Sequence, residues 1–148
     1  MNKSAYQPEG YQSVIPYLHV NGAARLIAFM KEVFDAQEIA VYPRPDGTVG
    51  HAAIRIGDSV IELADVSSEW PAMPCALQIY VPDTDAAYQR ALKAGATSLL
   101  PPATQFYGDR TASVRDSSGN NWYIATQIEV VSREEVDKRL AAMSQNKA

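Results

Sequence analysis

The sequence has little of what marks disulfide-rich, membrane-spanning or nucleic-acid-binding proteins. Cys75 is the only cysteine in 148 residues, which excludes an internal disulfide and favours a reducing, cytoplasmic location. No apolar run approaches the roughly 20 residues that a membrane-spanning helix needs, so no membrane partner is expected. Acidic residues outnumber basic residues by 17 to 13 without a basic cluster, which argues against a nucleic-acid partner.

The common short catalytic motifs are also absent. The chain contains no C-x-x-C, P-loop, G-x-G-x-x-G, G-x-S-x-G or H-E-x-x-H pattern. Its 47% hydrophobic and 20% charged residues are typical of a globular protein, and its length suits one compact domain or two small units that share a core. The function must therefore be argued from how individual side chains are arranged.

The first half of the chain predicts the element order β-α-β-β-β. Residues 14–20, V-I-P-Y-L-H-V, alternate like a strand, and Asn21 is a plausible N-cap for the helix that follows. Leu26, Met30 and Val33 lie along one face of that helix. Three strand-like segments come next, separated by a P-R-P-D-G-T turn and a G-D turn.

The second half repeats this order. Residues 76–81 form a strand, Asp83 or Thr84 is placed to cap the next helix, and Gly95 is a natural stop for it. Strand-like segments follow, of which the last is N-W-Y-I-A-T. Val20 and Val81, which end the first strand of each half, are 61 residues apart. The pair Leu63 and Ile124 in the last strands has the same spacing, which favours a duplication over two unrelated α+β halves.

These patterns predict one domain over residues 12–128, built from a first module at 12–66 and a second at 75–128. Residues 1–11 are predicted to be an N-terminal extension. Residues 132–148 are predicted to form a C-terminal helix and tail, with Ser132 and Glu135 as a capping box.

Strand alternation separates purely apolar faces, which suit packing under helices, from mixed faces. The mixed faces combine aromatic rings with a few polar groups, which is also how ligand pockets are lined, although exposure to solvent is the simpler interpretation. If the sheet curves into a cup, these faces point into it. The residues concerned are Tyr17, His19, Glu62, Gln78, Tyr80 and Tyr123.

Other candidates lie outside these faces. Arg110, in the loop F-Y-G-D-R, is able to bind a carboxylate or phosphate of a ligand, or to pair with Asp109 or Asp116 at the surface. His51 is interpreted as an edge or solvent-facing residue. Trp70 lies in the segment that links the modules, where it either closes over a pocket or packs between subunits.

Three stretches carry a family resemblance. They are V-I-P-Y-L-H-V-N-G-A-A, D-G-T-V-G-H-A-A-I-R-I-G-D-S-V-I-E-L-A-D and Q-F-Y-G-D-R-T-A-S-V-R-D-S-S-G-N-N-W-Y-I-A-T. The chain resembles the vicinal oxygen chelate superfamily, which includes glyoxalase I, extradiol dioxygenases and bleomycin-resistance proteins, and within it the PhnB-like branch. The resemblance implies an α+β fold in which two β-α-β-β-β modules form a cupped mixed sheet, and it implies a homodimer. The chain departs from the family at D-S-S-G-N-N-W, where relatives often carry D-P-F-G-H.

The resemblance also implies where a metal would bind. Matching the family's motifs places the ligand positions at Ile15, Glu62, Ala76 and Tyr123, and among these only Glu62 is an ordinary metal ligand. No cofactor is expected on this basis. If a divalent metal does bind, we expect Glu62 to hold it together with His19 and Gln78, which lie two residues along their strands.

Two functions follow from the resemblance. The first is a small-molecule binding or sequestering protein of the bleomycin-resistance type. The cup would hold the ligand against Tyr17, Tyr80 and Tyr123, with Glu62 and Gln78 fixing its orientation. Further ligand-binding candidates are His19 and Arg110. The second is a metal-dependent glyoxalase-like lyase or isomerase, or a dioxygenase, with Glu62 as metal ligand or catalytic base. A third interpretation of Glu62 is a hydrogen bond to the hydroxyl of Tyr17 or Tyr123 without activity. Whether the protein is an enzyme stays open at this point.

Overall fold

The computed structural model describes residues 6–147, which form eight strands and three helices. The helices are α1 (Ala23–Phe34), α2 (Thr84–Lys93) and α3 (Arg133–Gln145). The strands are β1 (Tyr17–Val20), β2 (Gln37–Pro43), β3 (Val49–Ile56), β4 (Ser59–Asp65), β5 (Ala76–Tyr80), β6 (Thr97–Thr104), β7 (Asp109–Arg115) and β8 (Asn121–Gln127). Within the described part of the chain, no helix has the length and apolar character needed to cross a membrane.

The chain divides into two compact units. The first consists of the described residues up to Cys75 together with Ser117–Asn120. Its four-stranded sheet has the order β1-β4-β3-β2, in which β1 runs parallel to β4 and the other neighbours are antiparallel. The register places Tyr17 opposite Glu62, so these side chains share a face, as strand alternation predicts.

The second unit has the same design. Its sheet has the order β5-β8-β7-β6, with β5 parallel to β8 and the other neighbours antiparallel. Gln78 lies opposite Tyr123, which repeats the Tyr17–Glu62 pairing 61 residues later. The predicted α+β class and the two β-α-β-β-β modules are therefore confirmed.

The first strand is shorter than its sequence pattern predicts. The pattern V-I-P-Y-L-H-V starts at Val14, but β1 begins at Tyr17 and Val14 is 84% exposed. Pro16 has no N–H to donate, and its carbonyl accepts the first bond of the ladder from the backbone N–H of Glu62. Proline thus marks the start of the strand.

Helix α1 buries the face that the sequence predicts but is capped differently. Leu26, Met30 and Val33 are all at most 1% exposed. The N-cap residue is Gly22, in a left-handed conformation with φ of 84°, and not Asn21. No side chain at this position caps the helix, so its first N–H groups need acceptors from elsewhere in the unit.

The other two helices are capped locally, as predicted. The side chain of Asp83 accepts from the backbone N–H of Ala86, and Gly95 follows the C-cap of α2 with φ of 98°. Thr84, the alternative cap, instead donates its hydroxyl to the carbonyl of Arg110. Ser132 accepts from the backbone N–H of Glu135 at the start of α3.

A candidate ligand cavity in the first unit

The first unit contains a cavity of about 410 Å³. This volume lies within the range of small-molecule sites, which are typically walled by apolar and aromatic side chains with a few polar groups. Three aromatic rings, two small residues and two charged side chains line the cavity. These residues are Tyr17, His19, Arg44, Gly50, Ala64, Asp65 and Trp70.

The aromatic wall consists of three adjacent rings, of which two are stacked. His19 lies parallel to Trp70, with ring centroids 5.4 Å apart and planes at 12°, and its other neighbour is Tyr17 at 5.0 Å. Trp70 remains 60% exposed, so a face of this wall is open to a ligand. The His19 Nδ1 atom is buried without a hydrogen-bond partner.

The segment between the modules brings Trp70 to the cavity. Ser67 and Trp70 form a tight turn, in which the N–H of Ser67 donates to the Trp70 carbonyl and the N–H of Trp70 donates to Ser67 Oγ. The N–H of Met73 donates to the carbonyl of His19 and ties the segment to β1. Trp70 therefore lies over the pocket, one of its two predicted locations, while the Met73 side chain is 68% exposed.

Asp65 is the buried carboxylate of the cavity wall, and it caps α1 from the end of β4. Its Oδ1 accepts from the backbone N–H groups of Gly22 and Ala23, each at 2.9 Å, and its Oδ2 accepts from Val49 at 2.8 Å. Burial alone raises the pKa of Asp65, but the N–H donors of Ala23, Val49 and Gly22, aided by Arg44, outweigh burial and leave its pKa below the ordinary value.

Arg44 supplies the positive charge of the wall. Its guanidinium donates to the backbone carbonyls of Asp65 and Val66 and to the hydroxyl of Thr48. Gly50 leaves room for it, because a Cβ built at Gly50 would lie 3.1 Å from Arg44 Cγ.

Glu62 has a histidine neighbour that the sequence interpretation missed. His51 Nε2 lies 4.0 Å from Glu62 Oε1, and its Nδ1 lies 3.1 Å from the hydroxyl of Tyr17. His51 is therefore a partner of two site residues and not simply a solvent-facing side chain. The Tyr17 hydroxyl therefore bonds to His51, and not to Glu62 as one interpretation of the sequence suggested. Burial, and then the charge of Glu62, raise the pKa of Tyr17, so its phenol stays protonated.

The second unit holds the remaining predicted ligand-binding residues on its own sheet. Gln78 and Tyr123 are opposite each other and exposed, and Tyr80 is 62% exposed. The Tyr80 hydroxyl donates to Asp109 Oδ2 at 3.0 Å, and this bond is the main reason that the pKa of Tyr80 is raised. Whether these side chains contact a ligand stays a prediction.

Arg110 has a different partner from those considered in the sequence. Its Nε and Nη2 donate to the two carboxylate oxygens of Asp85, both at 2.8 Å, and its Nη1 donates to Thr104. The alternative interpretation, a surface pair with Asp109 or Asp116, is therefore wrong as to the partner, because α2 presents Asp85 directly to the guanidinium. A ligand carboxylate would have to displace this bidentate pair.

The side chains near Glu62 do not fit a divalent metal centre. A catalytic site normally has three protein ligands, and no three His, Cys, Asp or Glu side chains among residues 6–147 are grouped to hold a metal ion. One such neighbour of Glu62 is His51, at 4.0 Å, while the side chain of Ile15 has no atom that could bind a metal.

Several residues of the site were not identified as such from the sequence. His51, Arg44, Gly50 and Asp65 meet only through strand register and a long-range cap, which a single sequence does not reveal. The only local signals were the acid that ends S-V-I-E-L-A-D and the arginine within the P-R-P-D-G turn. For Trp70, the sequence left two locations open, the pocket and a subunit interface.

Comparisons with known proteins agree with this architecture. Residues 14–124 match the family model described as the Glyoxalase/Bleomycin resistance protein/Dioxygenase superfamily. An uncharacterized protein of Mycobacterium bovis is 36% identical over 140 residues, covering 87% of this chain and 90% of the relative. An uncharacterized protein of Mycobacterium tuberculosis is also 36% identical over 140 residues, covering 87% of this chain and 81% of the relative.

Solved structures show the same fold at lower identity. TioX from Micromonospora sp. ML1 has a TM-score of 0.66 at 22% identity, covering 78% of this chain and 98% of TioX. The fosfomycin resistance protein FosX from Mesorhizobium loti has a TM-score of 0.59 at 16% identity, covering 87% of this chain and 98% of FosX. At these identities the likeness is one of fold.

Proposed function

The chain belongs to the glyoxalase/bleomycin resistance protein/dioxygenase superfamily, and we propose that it binds or sequesters a small molecule in the cavity of its first unit. The observation that carries the proposal is the aromatic wall of Tyr17, His19 and Trp70 around about 410 Å³ of space. An aromatic wall of this kind favours a planar or amphipathic ligand. The exposed face of Trp70 gives such a ligand a surface to stack on.

The family and its neighbours make antibiotics and aromatic natural products the first compounds to test. The family's description includes bleomycin resistance, and FosX is a fosfomycin resistance protein. The role proposed here is binding, because the residues near Glu62 do not fit a three-ligand metal centre. The PhnB-like branch and a homodimer belong to the same proposal and rest on the sequence resemblance.

Tryptophan fluorescence tests this function directly. Trp70 is 60% exposed on the cavity wall, whereas Trp122 is 1% exposed, so a ligand in the cavity should change the emission of Trp70. We expect saturable quenching by planar compounds, and we expect Trp70→Ala to weaken binding of the same compound by about tenfold when calorimetry is used as the readout. Equal affinity for the wild type and Trp70→Ala would contradict this location.

A second candidate function is an acid–base enzyme of the glyoxalase type, with Glu62 as the base. The observation that favours it is the row Glu62–His51–Tyr17, in which one imidazole lies 4.0 Å from the carboxylate and 3.1 Å from the phenol. A carboxylate beside a histidine is a common arrangement for moving a proton. Substrate turnover that is abolished by Glu62→Gln while ligand affinity is retained would favour this candidate over binding alone.

A further inference from the structure

We propose that the ligand of this cavity joins a planar apolar body to an oxyanion, either a carboxylate or a phosphoryl group, and that Arg44 binds the oxyanion. The inference rests on the proposed function and specifies the ligand class for the same cavity. Two observations support it: the charges of the cavity wall, and the N–H groups of Arg44 that make no hydrogen bond within the described part of the chain.

The side-chain hydrogen bonds of Arg44 all go to neutral acceptors. It donates through Nη1 to Thr48 Oγ1 and the Val66 carbonyl, and through Nη2 to the Asp65 carbonyl. None of the ion pairs formed within 4.0 Å among residues 6–147 includes Arg44.

The unused donors of Arg44 suit an oxyanion. A guanidinium has five N–H groups, so the three bonds leave Nε–H and one N–H of Nη2. Donors on two neighbouring nitrogens match the two oxygens of a carboxylate or phosphoryl group in a bidentate contact. Because Arg44 is half-buried, such a contact would be less screened than one at an open surface.

The other charged wall residue does not cancel this preference. The Asp65 carboxylate accepts three backbone N–H groups, of which those from Gly22 and Ala23 lie at the start of α1. The positive end of the helix dipole compensates the aspartate charge locally. A cationic ligand would therefore meet the positive charge of Arg44 and a carboxylate that is already bonded.

The position of Arg44 depends on a glycine in the strand beside it. Gly50 on β3 lines the cavity, and a Cβ there would lie 3.1 Å from Arg44 Cγ and 3.3 Å from the carbonyl of Tyr42. The missing side chain lets the stem of Arg44 approach the strand, on the same cavity that Trp70 and His19 line with their rings. The rings thus complement the planar body of a ligand, and Arg44 complements its oxyanion, within the same cavity.

Three naphthalene probes of similar shape test the inference on the full-length chain by isothermal titration calorimetry. They are 2-naphthoate, 2-naphthyl phosphate and the neutral 2-naphthamide. We expect at least one anion to bind about tenfold more tightly than the amide. The preferred anion then distinguishes a carboxylate from a phosphoryl ligand.

Two variants test whether Arg44 supplies the positive charge that binds the anion. Arg44→Gln should bring the affinity for the preferred anion close to that for the amide, while the affinity for the amide changes little. Arg55→Gln is the matched control, because Arg55 is an arginine of the same unit that donates to the Gly10 carbonyl and does not line the cavity. An equal loss in both variants would contradict the assignment to Arg44.

The wild type alone also decides the question, even if Arg44→Gln folds poorly. Raising the salt concentration to about 0.5 M should weaken binding of the anion more than binding of the amide, because salt screens charge. Equal affinity of all three probes at low salt would overturn the oxyanion inference and leave the proposed function standing. Failure of all three to bind would overturn both.

Discussion

The two units share one strand order, and their first and last strands pair in the same register, yet they satisfy the start of their helix in different ways. In the first unit the acceptor is Asp65, which lies more than 40 residues along the chain from Gly22 and Ala23. In the second unit it is Asp83, immediately before α2. A local cap depends on one turn, whereas the cap by Asp65 requires β4 and α1 to be in place together.

The difference extends to the residue that takes the place of Asp65. Thr126 lies 61 residues after Asp65, and its hydroxyl bonds to Thr84 Oγ1 and to the Val81 carbonyl. A charged group at the end of the last strand in one unit thus corresponds to a hydroxyl in the other. The first unit combines this buried charge with Arg44 and an aromatic wall, which is why its cavity has a polar end.

The largest expected effect comes from removing the long-range cap. Asp65→Ala leaves three backbone N–H groups without their acceptor, and we expect it to lower the free energy of unfolding by about 3 kcal/mol or more. Asp83→Ala removes one local bond and should cost about 1 kcal/mol. Urea denaturation of the two variants measures both values, and equal losses would remove the distinction between the caps.

The next effect compares Val20, the last residue of β1, with Val81, which follows the last residue of β5. Val20 is 1% exposed, whereas its counterpart Val81 is half-buried. Val20→Ala should therefore cost about 2 kcal/mol of unfolding free energy and Val81→Ala about 1 kcal/mol or less. The substitution is the same in both places, so denaturation midpoints compare burial alone. A larger loss at Val81 would contradict this difference in burial.

Much of the fold could be predicted because its signals are local or periodic. Strand alternation correctly placed Tyr17 and Glu62 on one face, and the helix period identified Leu26 and Met30 as core residues. The 61-residue offset identified the duplication before any strand pairing was known. Such patterns repeat over many residues, so single substitutions do not hide them.

The site was harder to predict because its contacts join distant parts of the chain. Asn21 has a good capping side chain, but the left-handed Gly22 is the N-cap and Asp65 takes over the role of acceptor. His51 and Glu62 meet diagonally across two strands, which depends on register. Gly50 lets the stem of Arg44 pass close to β3, a contact that the sequence around either residue does not indicate.

The pH dependence of stability provides a smaller effect that sharpens the comparison. The pKa of Asp65 is lowered in the folded state, so its contribution is fully present above the unfolded value of about 3.9 and is lost as the pH falls through the folded pKa. Asp65→Asn should therefore be less stable than wild type by a constant amount above about pH 5, and by a shrinking amount below pH 4.

Thr126→Ser is the control, because it changes the corresponding position of the second unit without adding a titrating group. Its stability relative to wild type should not vary with pH. Chemical denaturation at several pH values measures both differences. A gap between Asp65→Asn and wild type that stays constant down to about pH 2 would show that the carboxylate is not stabilised by its N–H donors.

The smallest expected effect concerns metals. A ligand that binds the folded state raises the melting temperature by mass action, so chelator-stripped protein can be melted with Mn, Fe(II), Co, Ni and Zn in turn. Because no three conventional ligands are grouped among residues 6–147, we expect the melting temperature to shift by less than about 1 °C in the wild type, and the Glu62→Gln variant to respond in the same way. A shift of several degrees that disappears in Glu62→Gln would instead show a metal centre at Glu62, and would turn attention from the aromatic cavity of the first unit to metal-dependent catalysis.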